Sequence, residues 1–191
     1  MKNLLILMST VIALYAYAGY FLAILNGKAK PHRTTRFVIL LISALVTLSL
    51  FAQGNTVAIW LSGVFTVCSL IIFLLSIKYG YGGFSKNDIL CFSVAIIGIG
   101  LWKFTNNPVI GLFSSITADF IGFVPTVIKS YKYPETETWQ FFFLGACSSA
   151  FNMLATKRWY LTDYVYPLYI IIINSVVVVL ILRGKLYKNK Q

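Results

Sequence analysis

The chain is a succession of apolar runs joined by connections too short to hold a domain of their own, which leaves it few architectures. Runs at 3–25, 36–53, 55–77, 88–105, 107–129, 138–157 and 161–183 each read as a helix able to cross about 30 Å of hydrocarbon. The connections are brief, for example Asn26 to Thr35, Gln53 to Asn55 and Ser130 to Glu137. A soluble domain of 191 residues needs a charged surface, yet 11% of the residues are charged and 59% hydrophobic, with mean hydropathy +0.81. The expected fold class is therefore all-α integral membrane, with seven transmembrane helices.

Lysine and arginine in the loops orient such a chain, because positive residues stay on the cytoplasmic side. One side receives Lys28, Lys30, Arg33 and Arg36, then Lys78 and Lys86, then Lys129 and Lys132, then Arg183, Lys185, Lys188 and Lys190. The other receives Lys2, Lys103, Lys157 and Arg158, which completes the 16. The N-terminus is thus expected outside and the C-terminal tail in the cytoplasm. Lys2, the apolar stretch from Leu4 to Leu14 and Ala16-Tyr17-Ala18 imitate a secretory signal, but the run continues through Leu25 as a spanning helix would. The net charge of +11 is spread over loops facing anionic lipid, so nucleic acid is not an expected partner.

A repeat runs through the chain. Residues 19–35 and 122–138 align at an offset of 103: Gly19 on Gly122, Tyr20 on Phe123, Ile24 on Val127, Leu25 on Ile128, Pro31 on Pro134 and Thr35 on Thr138. Each copy leaves one helix, crosses a polar loop with a proline and enters the next. Two parallel copies of a three-helix unit need an odd helix between them to restore direction. The expected organisation is a first bundle at 1–77, a linker helix at 78–106 and a second bundle at 107–191, in a 3+1+3 order.

Polar residues inside apolar runs mark the places where chemistry is affordable. Asp119 sits half-way along its run, where a carboxylate costs about 2.5–3.5 kcal/mol on insertion scales and should face a cavity or a partner. It shares a helical stripe with Ser115, Gly122 and Thr126, and Pro125 leaves a backbone carbonyl free beside that stripe, permitting a bend. Asn152 and Asn174 lie within the sixth and seventh runs. A buried amide both donates and accepts, so these two suit the hydroxyls of a neutral polar solute, or they clamp neighbouring helices. Ser62, Thr66 and Ser69 form a further stripe better suited to close packing. Most aromatic residues, including Trp60, Trp102, Trp139 and Trp159, fall near run ends as interfacial anchors.

Enzyme chemistry has little to work with. His32 is the single histidine and lies in a loop, and the runs hold no carboxylate pair, Cys/His cluster or nucleophile elbow. Cys68, Cys91 and Cys147 are odd in number and have neither disulfide nor metal spacing. A retinal protein needs a lysine inside the last span, and Tyr164 to Leu182 has none. No cofactor and no metal is expected.

The segment Ala118-Asp119-Phe120-Ile121-Gly122-Phe123-Val124-Pro125-Thr126-Val127-Ile128-Lys129-Ser130-Tyr131-Lys132, with Pro134 and Glu137-Thr138, resembles the PQ-loop motif of the SWEET and PQ-loop transporter superfamily. The resemblance implies two parallel three-helix bundles around a central solute pathway. Pro125-Thr126 would be the family's hinge pair, and Asn174 matches the mid-depth amide that contacts substrate. Some members couple transport to protons through an intramembrane Asp, a role open to Asp119. The first copy departs from the pattern, with Leu22 where the hinge proline belongs and Ser69 where the amide belongs.

The expected function is transport of a small polar solute, a sugar first, by alternating access in a plasma or bacterial inner membrane. Asn174, Asn152, Asp119 and Ser115 are the expected solute or proton contacts; Pro125, Gly122 and Thr126 are the hinge. Rival expectations keep the fold and carry a vitamin nucleoside or an amino acid with proton coupling, or replace transport by a receptor or assembly role. Membrane lipid is the expected partner; a homo-oligomer is allowed, though not required.

Overall fold

A computed structural model describes residues 2–52, 58–82, 108–155 and 161–188, together with single helical positions at 89, 93, 96–97, 100 and 104. The helices over these residues are α1 (Lys2–Leu25), α2 (Arg33–Ala52), α3 (Ala58–Tyr79), α4 (Pro108–Lys132), α5 (Trp139–Ala155) and α6 (Leu161–Lys188). A 3₁₀ turn at Pro134–Thr136 joins α4 to α5. Each helix overlaps one of the apolar runs.

Local chemistry sets the ends. α1 stops in a Schellman motif: Lys28 N–H donates to Ala23 O at 2.8 Å and Gly27 N–H to Ile24 O at 3.0 Å. That closure puts Gly27 at φ +69°, where a Cβ would be strained. α4 begins at Pro108, whose missing N–H costs nothing in a first turn.

The helices gather into two compact units, Met1–Ala29 with Val127–Gln191, and Lys30–Thr126. In the first, α1 packs on α5, α5 on α6, and the 3₁₀ turn on α6. Ser148 Oγ donates to Ser9 O at 2.8 Å, tying α5 to α1 through a hydroxyl, as helices in apolar surroundings often do. Gly184 of α6 lies directly against the Pro134 ring, an approach that a Cβ would forbid.

In the second unit α2 packs on α3, and Val38 of α2 meets Ala118 of α4 with Ile42 alongside. Arg33 locks the loop end of this unit. Its guanidinium donates to the carbonyls of Ser76 at 3.0 Å, Gly82 at 3.0 Å and Gly80 at 3.3 Å, at and just past the end of α3, where a positive charge is favoured. Tyr81 N–H donates to Pro31 O at 2.9 Å and Arg33 N–H to Tyr81 O at 3.2 Å, so the chain entering α2 and the chain leaving α3 lie side by side.

The expectation of seven transmembrane helices fails. Six helices are found among the described residues, and two of them, Lys2–Leu25 and Tyr164–Gly184 within α6, are long and apolar enough to cross a membrane. Among the described residues no other helix meets both conditions; the apolar Gly63–Tyr79 stretch of α3 is shorter than the roughly 20 residues a span needs. α2 carries Arg33 and Arg36, and α4 carries Asp119, Lys129 and Lys132. The run at 88–105 lies outside the described residues apart from its isolated positions. What the two long apolar helices support is membrane association.

Candidate functional site

Among the described residues of the first unit, buried polar groups meet where α1, the 3₁₀ turn and the last turn of α4 converge. Lys129 Nζ donates to Glu137 Oε1 at 2.6 Å, with side-chain exposures of 1% and 0%. Tyr20 O–H donates to the other carboxylate oxygen, Oε2, at 2.8 Å, and the ammonium also reaches Thr136 O at 3.5 Å. Both oxygens of the carboxylate are thus engaged. Such satisfaction is what makes a buried pair tolerable, since desolvating two charges costs several kcal/mol per ion. The pairing depends on local folding: the 3₁₀ turn after Tyr133 reverses the chain so that Glu137, eight residues on, returns to Lys129.

Beside this network, and within the same unit, lies a cavity of about 510 Å³ between α1 and α5. Its walls are aromatic: Tyr15 and Tyr20 from α1, Trp139, Phe141 and Phe143 from α5. Tyr20 stacks on Phe141 with centroids 4.1 Å apart and planes 23° apart, while its hydroxyl stays bonded to Glu137. One end is polar, lined by Asn26 and Lys28 past the end of α1 and by Thr138 and Gln140 at the start of α5. Volume, aromatic walls and a few polar groups at one end are the ordinary make-up of a small-molecule site.

The residues expected from sequence are placed otherwise. Asn174 Nδ2 donates to Ile170 O of its own helix at 2.9 Å, and a Cβ on Gly145 of α5 would lie 3.4 Å from that nitrogen. Asn152 lies on α5 and is exposed. Both belong to the first unit. Ser115 and Asp119 lie in the second, where Asp119 is buried at 8% exposure beside Ala118; the side chain of Ser115 is outside the described part. None of the four lines the cavity. The hinge stripe is engaged with α2: Thr126 O–H donates to Thr35 Oγ1 at 2.9 Å, a Cβ on Gly122 would meet Val38 Cγ1 at 2.5 Å, and Pro125 is buried inside α4.

Sequence reasoning passed over Tyr20 and Glu137. Their signal was Glu137 itself, one of five acidic residues against 16 basic ones, set eight positions after a lysine across a proline turn.

Compared with known proteins, no family model, no curated protein and no solved structure matches the chain. The resemblance to PQ-loop transporters therefore rests on residues 118–132, 134 and 137–138 alone.

Proposed function

We propose that the protein is a membrane carrier that moves a small polar solute, a sugar first, by alternating access of its two units. The observation that carries this reading is where the units join. The chain passes between them at Ala29/Lys30, two residues past the left-handed Gly27, and at Thr126/Val127, one residue past Pro125. Pro125 removes one intrahelical hydrogen bond and leaves a carbonyl without its usual partner, so α4 is weakest where it crosses. Gly122 and Thr126 hold that joint against α2.

The directions of α1 and α6 support a multi-pass arrangement. Tyr20 near the end of α1 and Gly184 near the end of α6 both meet the loop after α4, so the two apolar helices run parallel within their unit. Two parallel helices can both span a bilayer only if the chain between them returns across it. The lysine and arginine bias then puts the C-terminal tail in the cytoplasm of a cell bounded by a plasma or bacterial inner membrane. Asn152 and Asn174 in the first unit are proposed solute contacts; in the second, Ser115 is a proposed solute contact and Asp119 a solute or proton contact.

The test is uptake into proteoliposomes of glucose, sucrose, a nucleoside and a basic amino acid, with and without a pH gradient, by wild type and Asp119→Asn. Sugar uptake indifferent to the gradient supports a facilitator. Gradient-dependent uptake lost in Asp119→Asn makes Asp119 the proton site, and nucleoside or amino-acid flux replaces the sugar. Absence of flux from folded protein favours a receptor or assembly role, the reading with which the self-bonded amide of Asn174 agrees.

A further inference from the structure

The same helix–helix contact is built twice at the 103-residue offset, and its two versions differ. In the second unit Gly122 faces Val38 and Thr126 bonds Thr35, and the interface is closed: a Cβ on Gly122 would lie 2.5 Å from Val38 Cγ1. Shifted by 103, those positions are Gly19, Phe141, Ala23 and Thr138. All four line the cavity of the first unit, and a Cβ on Gly19 would meet nothing within 4 Å. One copy of the contact is shut and the other stands open.

The open copy is graded in polarity. Along α1 its lining runs from Tyr15 and Ala16 through Gly19 and Leu22 to Asn26 and Lys28. Along α5, which runs the other way, it passes from Phe143 and Leu144 to Gln140 and Thr138. Within α1 the lining from Tyr15 to Ala23 spans about 12 Å at 1.5 Å per residue, with Asn26 and Lys28 at its end, an elongated apolar groove that suits an acyl chain better than a compact polar solute. The charge has one sign. Lys28 is in the lining and no carboxylate is, because Glu137 is fully buried and already bonded to Lys129 and Tyr20. The outer surface of α1 is apolar as well, with Leu4, Leu7 and Val11 exposed, so the groove opens from a helix suited to lipid.

We infer that the α1–α5 cavity is a binding site for one anionic phospholipid, its acyl chain lying between Tyr15 and Phe143 and its phosphate end at Lys28, Asn26 and Thr138. This site does not depend on transport and stands or falls separately from it.

The test uses the full chain with Trp139 as sole tryptophan (Trp60→Phe, Trp102→Phe, Trp159→Phe) in phosphatidylcholine vesicles. Dibrominated phosphatidylglycerol or dibrominated phosphatidylcholine is titrated in, and quenching of Trp139 in the cavity wall is read. Wild type should be half-quenched at about five-fold less phosphatidylglycerol than phosphatidylcholine, the factor expected of one basic residue near an anionic headgroup. Gly19→Leu, which fills the groove, should abolish that difference. Lys28→Glu, at an exposed position past the helix end, should abolish or reverse it and decides the matter should Gly19→Leu fail to fold. Equal quenching by the two lipids in wild type would overturn the proposal. So would a preference that survives Lys28→Glu, or one that millimolar glucose removes by taking the cavity for a soluble solute.

Discussion

Glu137 answers two donors at once, and its removal has a definite signature. Glu137→Gln leaves the Lys129 ammonium buried without its counter-charge and should cost about 3–5 kcal/mol, read as denaturation in detergent. Replacing both partners, Lys129→Met with Glu137→Leu, should recover most of that loss, because the pair's attraction is largely spent on its own desolvation. Tyr20→Phe should cost about 1–2 kcal/mol by leaving one carboxylate oxygen unpaired. A double mutant no more stable than Glu137→Gln would contradict this account. The two repeat glycines give the complementary test. Gly122→Ala pushes against the β-branched Val38, stiff at χ1, and should destabilise by about 1–3 kcal/mol, with rescue by Val38→Ala. Gly19→Ala faces open space and should be close to neutral. Little of this was legible in the sequence. The alignment of Gly19 with Gly122 was visible, but whether a side chain opposes each depends on Phe141 and Val38, which lie on other helices.

At the scale of elements, Arg33 is the fastening of α2 to α3. A guanidinium can serve three carbonyls in one plane, which a lysine cannot, so Arg33→Lys is not conservative here. Arg33→Gln should cost about 1.5–3 kcal/mol and speed amide exchange in the last turn of α3 and at Tyr81. Unchanged protection there would show the bonds to be dispensable. Sequence reasoning had counted Arg33 only as a loop charge. Helix positions were the legible part: the runs at 3–25, 107–129 and 161–183 correspond to α1, α4 and α6, because an uninterrupted apolar stretch of that length has few other conformations. Their role in a membrane was not legible in the same way. A helix such as α5 has the same apolar composition whether it is read as a span or packed between α1 and α6.

For the whole molecule, the two units and their joints are the frame on which the carrier proposal stands. The compact units place α1 with α5 and α6, and α2 with α3, and that grouping is written in contacts between residues more than a hundred positions apart, such as Tyr20 with Glu137, which chain order alone does not reveal. Pro125→Ala restores an N–H inside α4 and should leave folding intact while slowing exchange between the units. The measurement that tests this most directly is the distance distribution between spin labels placed one in each unit. Lys78→Cys and Lys132→Cys serve for the labels, with Cys68, Cys91 and Cys147 replaced by serine, in proteoliposomes with and without solute. The account predicts two populations of distance whose ratio shifts with solute and is narrowed toward one by Pro125→Ala. A single narrow distance, indifferent to both, would contradict it.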